Sequence, residues 1–179
     1  ILRGAPEAAE PPPPGHWAKL WWHSRRVHRL FGYKFWAMVV GAAPLDPELE
    51  AFWGRLGFAV VQGYGLTETS PVLTFNDRSH TRVGTEGRPL RGVELEIRRE
   101  PGQDHGEIVA RGPSVFSGYR GSEEATPAAF TADGWFRTGD LGWLDGRGYL
   151  HVVGRSKELI VLADGKKIFP DELERIYGE

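Results

Sequence analysis

Residues 60–71, VVQGYGLTETSP, bring a ring, a hydroxyl and a carboxylate close together: Tyr64, Thr67 and Glu68. Glycine at 63 and 65 lets the backbone turn sharply and approach a ligand closely. Tyr64 offers a flat apolar face to a base or ring, and the Thr67 hydroxyl can donate to an anion. A carboxylate repels a phosphate. Glu68 beside one therefore requires a cation between them, and Mg²⁺ takes one or two carboxylates together with phosphate oxygens. In the competing reading Thr67 and Glu68 merely cap backbone amides in a strand-to-loop turn, and the local sequence leaves both open.

Two later stretches carry compatible chemistry. In WFRTGDLG, Asp140 follows Thr138 and Gly139 at a strand end, where an ionised carboxylate can accept both hydroxyls of a ribose. Asp beside Gly also marks an ordinary turn. In GRSKELI, the Arg155 guanidinium can reach a ribose or phosphate oxygen, or simply stand in solvent at a strand end. A serine hydrolase is excluded because GPSVFSG does not supply the Gly-x-Ser-x-Gly elbow.

These groups need elements to position them. KFWAMVV and FAVVQ are continuously apolar runs of strand length. Between them Asp46 caps a helix, Pro47 opens it, Leu49, Phe52, Trp53 and Leu56 form its apolar face, and Gly57 stops it. The result is a βαβ unit with parallel strands and a right-handed crossover. Both strands end on one sheet edge, so GAAPL and GYGLTE face a common crevice, the usual ligand site of open α/β sheets.

Upstream, Trp17, Leu20, Trp21, Val27, Leu30 and Phe31 recur at helical spacing between Lys19, Arg25, Arg26 and Arg29. They predict one amphipathic helix over 16–31, ended by Gly32, whose stripe packs on the core. Peripheral contact with a membrane surface is its alternative role. Pro11 to Pro14 form a stiff extended connector within residues 1–15.

After residue 80 the pattern changes to alternation. GVELEIRR and EIVARG flank the turn EPGQDHG as an antiparallel hairpin, a helical turn limited by Pro127 follows, and Asp-Gly turns separate further strands up to residue 154. ELIVLA and KKIF form a last hairpin about Asp164 and Gly165, and Pro170 begins a helix bearing Leu173, Ile176 and Tyr177. A helix of about two turns is not stable alone, so a partner element is expected. The fold class is therefore α/β: residues 16–80 contribute the βαβ part of a parallel sheet, 81–154 a small, mostly antiparallel β module, and 155–179 the start of a C-terminal small domain.

Composition narrows the class. The 179 residues are 40% apolar with a net charge of −2, enough for one core or two small ones and without a global attraction to nucleic acid. Absence of cysteine removes disulfides, thiolate zinc sites and a cysteine nucleophile, and fits a reducing, cytoplasmic setting.

Taken in order, VVGAAPL, QGYGLTETSP, GWFRTGDLG and GRSKELIVLADGKKIFPDELE resemble the adenylate-forming superfamily of AMP-dependent synthetases and ligases from about Lys34 onward. Within it, the basic helix before GAAPLDPELEAFW and the SKELIVLADGKKIFPDELE ending look most like long-chain fatty-acid–CoA ligases. The resemblance implies that Tyr64 stacks on adenine and that Gly41, Ala42 and Ala43 line the adenine and acyl pocket beside Gly63 and Gly65. It further implies that Thr67 contacts phosphate, Glu68 holds Mg²⁺, Asp140 binds the ribose with support from Arg155, and Lys157 marks an interdomain hinge. ATP, a carboxylic acid and coenzyme A are the implied substrates, and acyl-AMP the intermediate. The superfamily's Ser/Thr/Gly-rich phosphate loop and its small-domain lysine match nothing here, so the chain is expected to be part of such an enzyme, with N- and C-terminal portions lying elsewhere. A non-catalytic nucleotide-binding remnant is the alternative.

Overall fold

The computed structural model describes residues 16–41, 45–76, 82–122, 124–161, 167, 168, 170 and 177. The proline-rich connector, Ala42 and Ala43, the Asp164–Gly165 turn and the body of the helix after Pro170 lie outside these.

Strand β1 (Ala37–Val40) runs parallel to β2 (Ala59–Tyr64), with Ala37 opposite Ala59 and Val40 opposite Gln62. Helix α3 (Pro47–Arg55) connects them. It is numbered after two short helices, α1 (His16–His23) and α2 (Arg25–Phe31). Strand β3 (Thr74–Phe75) adds antiparallel to β2, and β4 (Arg88–Pro89) antiparallel to β3. The first sheet thus reaches past the change of sequence pattern near residue 80, because β4 is drawn to β3 by polar contacts: Thr74 Oγ1 donates to Glu86 O at 2.6 Å and Asn76 Nδ2 to Thr85 O at 2.6 Å. Asn76, Thr74 and Thr85 are all fully buried.

The second sheet is an antiparallel meander in the order β5 (Glu94–Arg98), β6 (Gly106–Arg111), β7 (Phe136–Leu144) and β8 (Leu150–Arg155). Helix α4 (Ala125–Ala128) interrupts the β6–β7 connection, and β9 (Ile160–Val161) pairs antiparallel with β10 (Lys167–Ile168) as the expected last hairpin. Phe58, Val60, Val61 and Leu73 form the buried core of the first sheet, and Ile108, Val109, Phe136 and Leu150 that of the second. The mixed α/β class is as the sequence implies.

Two helical expectations are corrected. Residues 16–31 are not one helix: the chain breaks at Ser24 (φ −92°, ψ 16°), a residue with weak helix propensity that is buried on the inner face. That inner face carries His28, stacked on Phe58 at 4.1 Å with Nε2 against Leu56 O at 2.8 Å, while Leu30 is 84% exposed. In α3 the cap is as expected, Asp46 Oδ1 accepting from Glu48 N at 2.7 Å. Its buried residue, however, is Glu50, and Leu49 and Phe52 face outward. Glu50 turns inward because its Oε2 accepts from Gln62 Nε2 at 3.0 Å and from Gly84 N at 3.1 Å. Gly57 (φ 85°) is required twice over, since a Cβ there would also meet the Trp21 backbone at 2.9 Å.

The sheets are stapled by residues 86 and 87. Glu86 N donates to Leu150 O at 3.0 Å, Leu150 N to Gly87 O at 2.8 Å, and Val152 N to the Glu86 carboxylate at 3.0 Å. Burial, reinforced by the Glu50 charge, pushes the Glu86 carboxyl from 4.5 up to about 7. A raised folded pKa means that the folded protein holds a proton the unfolded chain releases, so this group's contribution is fully present below pH 4.5 and is lost as pH rises through about 7. Urea denaturation across that window is expected to show stability falling with pH, and Glu86→Gln, whose amide oxygen still accepts from Val152, is expected to flatten the decline. An unchanged slope would remove Glu86 as its source.

Candidate functional site

The loop after β2 is closed by its own backbone. Leu73 N donates to Tyr64 O at 2.7 Å, Ser70 takes the left-handed conformation (φ 57°), and Gly65 approaches the Pro71 carbonyl too closely for any side chain. Within it, Thr69 performs the capping: Leu66 N donates to Thr69 Oγ1 at 2.9 Å, and that hydroxyl donates back to Leu66 O at 2.9 Å. The two open readings of Thr67 and Glu68 are thereby separated. Thr67 is exposed at the start of the short 3₁₀ turn Thr67–Thr69, and neither it nor Glu68 uses its side chain to cap this turn.

Asp140 is aimed by an irregularity in the second sheet. Glu107 pairs with Leu141 but Val109 pairs with Arg137, so Thr138, Gly139 and Asp140 stand opposite Ile108 alone. Gly139 (φ 74°) permits this bulge, and Thr138 fixes it by donating to Ile108 O at 2.8 Å and accepting from Asp140 N at 3.1 Å. The Asp140 carboxylate then meets the loop after β2: Tyr64 OH donates to Asp140 Oδ2 at 2.6 Å. Arg155, directly across the ladder from Asp140, places Nε 3.6 Å from Oδ1 while its side chain stays 63% exposed.

The electrostatics follow from burial. Asp140 is 6% exposed, and desolvation raises its pKa while the Tyr64 hydrogen bond and the Arg155 charge oppose the rise. Burial, and then Asp140 itself, push the Tyr64 phenol up, so it remains the donor of the pair. Each carboxylate oxygen has a second acceptor position, so Asp140 can take further hydroxyl donors beside Tyr64.

The sequence-predicted residues thus fall into placed groups. Tyr64, Asp140 and Arg155 converge. Gly41 lies beside β2, where a Cβ would stand 3.7 Å from Gly63 O, so the turns after β1 and β2 are neighbours as expected. Lys157 is exposed in the 3₁₀ turn Ser156–Glu158 between β8 and β9.

One residue was not anticipated. Tyr119, on the connection after β6, donates from its hydroxyl to Glu68 Oε1 at 2.9 Å across 51 residues of sequence, and Phe116 N donates to Glu68 O at 2.8 Å. That hydrogen bond pushes the Tyr119 phenol pKa up. No spacing rule links these positions. Among the described residues no three His, Cys, Asp or Glu side chains cluster as a metal cage. Glu68 alone fits a hard cation whose other ligands are phosphate and water oxygens, the usual habit of Mg²⁺.

Residues 13–120 match the AMP-binding enzyme family, and the chain belongs to that family. It is 43% identical over 150 residues to a long-chain-fatty-acid–CoA ligase of Mycobacterium bovis, covering 84% of this chain and 24% of that protein. It is 39% identical over 160 residues to a 2-succinylbenzoate–CoA ligase of Enterococcus faecalis, covering 84% and 32%. Its fold superposes with a TM-score of 0.70 at 36% identity on the Bacillus subtilis O-succinylbenzoate coenzyme A synthetase solved with ATP and magnesium ion, covering 78% of this chain and 30% of that one. The chain therefore spans only about a quarter to a third of these relatives.

Tyr64→Phe removes the strongest hydrogen bond that favours the charged form of Asp140. The Asp140 pKa, read by carboxyl NMR, is expected to rise further above its ordinary value, with a loss of about 1–2 kcal/mol in unfolding free energy. An unmoved carboxyl resonance would show that the pair is not formed in solution.

Proposed function

We propose that this chain forms part of an AMP-forming acyl-CoA ligase that activates a long-chain fatty acid. The observation that carries the reading is the meeting of Tyr64 from the first sheet with Asp140 from the second, flanked by Arg155 and reached by the glycine turns at Gly41 and Gly63. A ring at the end of parallel strand β2, facing a buried carboxylate and a cation from the antiparallel strands β7 and β8, suits an adenosine moiety: Tyr64 offers a face to the base, and Asp140 and Arg155 offer an acceptor and a donor to the ribose. Thr67 and Glu68, whose side chains are not used to cap the turn because Thr69 does so, stand on the same loop for the phosphate end. Bound Mg²⁺ would offset phosphate charge beside Glu68.

In the reaction supported by this family membership, a carboxylate oxygen attacks the α-phosphorus of ATP, the bond to the β-phosphate oxygen breaks and pyrophosphate leaves with that electron pair. The sulfur of coenzyme A, after loss of its proton, then attacks the acyl carbonyl and AMP leaves. The residues here supply orientation and charge balance rather than a covalent nucleophile. The mycobacterial relative's name supports a fatty acid, while the enterococcal relative is named for an aromatic one.

Among the described residues no helix is long and apolar enough to cross a membrane. Trp22 and Leu30, both outward, stand beside Arg25, Arg26 and Arg29, which supports peripheral membrane contact through residues 16–31 as a companion to a fatty substrate.

Pyrophosphate exchange by the full-length gene product with a panel of carboxylic acids is expected to be greatest with long-chain fatty acids. Preference for an aromatic acid would overturn the substrate assignment, and exchange with none would favour the non-catalytic remnant. Asp140→Ala is expected to weaken AMP binding by about 1.5–3 kcal/mol, roughly 10- to 100-fold, the scale of lost hydrogen bonds to a charged group. Unchanged AMP affinity in a folded variant would remove Asp140 from the site.

A further inference from the structure

Glu68 is gripped from the second sheet at two points. Phe116 N donates to its carbonyl oxygen at 2.8 Å, and Tyr119 OH donates to its carboxylate Oε1 at 2.9 Å. The second contact is built rather than casual. Tyr119 N donates to Thr126 Oγ1 at 2.9 Å, and the Tyr119 ring meets Phe116 edge to face at 4.8 Å and 71°. Phe116 in turn lies against Phe130 at 5.7 Å and against Phe136 at 5.3 Å, and Phe136 belongs to the buried core. Gly118 (φ 147°) lets the chain pass Thr126 where a Cβ would collide with its methyl group. The phenol is thus fixed from the core outward although the ring itself is 41% exposed.

Among the described residues Glu68 accepts no other side-chain hydrogen bond, so a single donor decides where its carboxylate points. With Oε1 held, Oε2 is the oxygen left for a cation. Carboxylates that ligate metals are themselves commonly oriented by a hydrogen bond from behind, and losing that partner weakens metal affinity by roughly 10- to 100-fold.

We propose that Tyr119 is a positioning residue for Glu68, a hydroxyl supplied by the second sheet that orients the carboxylate toward the divalent cation carried by the nucleotide. The proposal rests on the metal role assigned above to Glu68. It also makes the cation site composite: the ligand comes from the turn after β2 and its orientation from the connection after β6, so correct docking of the two sheets is a condition for metal binding.

The test compares Tyr119→Phe and Glu68→Gln in the full-length protein, with Mn²⁺ as the probe. Free Mn²⁺ is read by electron paramagnetic resonance during titration in the presence of ATP, and AMP binding is measured separately in EDTA. Tyr119→Phe keeps the ring contact with Phe116 and is expected to weaken Mn²⁺ binding roughly tenfold, leaving metal-free AMP affinity unchanged. Glu68→Gln is expected to show the larger loss. Unchanged Mn²⁺ binding in Tyr119→Phe, with binding lost in Glu68→Gln, would overturn the positioning role while sparing the metal role. Unchanged binding in Glu68→Gln would overturn both. An equal loss of AMP affinity in Tyr119→Phe would identify a merely structural hydroxyl and overturn the proposal as well.

Discussion

The hydrogen bond from Tyr64 to Asp140 joins the two sheets at the candidate site. It spans 76 residues of sequence and is 2.6 Å long, in the range of charge-assisted bonds between a hydroxyl and a carboxylate. Two unrelated local devices must succeed for it to form. The loop after β2 must close tightly enough to hold Tyr64 at its mouth, which requires Gly65 beside Pro71 and the left-handed Ser70. The second sheet must bulge at Thr138–Asp140, which requires Gly139. Asp140 bears a desolvation cost for its burial, and Tyr64 and Arg155 are what offset it.

The same logic governs the remaining contacts between the sheets. Glu86 reaches the Val152 amide, Tyr119 reaches Glu68, and Leu150 exchanges backbone bonds with Glu86 and Gly87. Apolar burial makes each sheet cohere, with Val60, Val61 and Leu73 on one side and Ile108, Val109 and Leu150 on the other. Directional polar bonds then set how one sheet stands against the other. Hydrophobic contact tolerates small sliding, whereas a hydrogen bond weakens steeply with angle and distance. A site assembled from both sheets gains its geometry from the second kind of force. Burial pushes the carboxyl of one of those staples, Glu86, up to about 7, so its contribution to stability depends on protonation.

How much of this was legible in the sequence divides along sequence separation. The βαβ unit, the Asp46 cap, the β5–β6 hairpin and the convergence of the Gly41 and Gly63 turns all follow from period and turn chemistry, which act over a few residues. The errors arose where a tertiary partner outweighed a local preference. Periodicity placed Leu49 and Phe52 inward, but Gln62 and the Gly84 amide both donate to Glu50 Oε2 and draw that carboxylate inside, which reversed the helix face. Ser24 broke the predicted helix on its buried side, where His28 takes the position against Phe58. In the TET turn the capping role fell to Thr69, a choice between chemically equal threonines that only the 3₁₀ rotation makes. Tyr119 had no signal at all, since nothing in GPSVFSGY announces a partner 51 residues away.

The placement of the acidic groups bears on what can bind. A nucleotide brings several negative charges to a site whose committed side chains include Asp140 and Glu68, against one partly solvated arginine within reach of Asp140. Such a site repels its ligand unless the two carboxylates have different tasks. Asp140 already has that distinction: it is buried and hydrogen-bonded, and as an acceptor it is suited to hydroxyl groups at the uncharged end of a nucleoside. Glu68 is the less enclosed of the two and accepts a side-chain hydrogen bond on one oxygen only among the described residues, which suits it to a cation. The charge conflict is then resolved by polarity along the ligand, sugar toward the second sheet and phosphate with its metal toward the turn after β2. A ligand presented the other way round would set phosphate against Asp140, where no carboxylate oxygen can donate unless it is protonated. The arrangement therefore selects orientation by charge before any fit to the base is required.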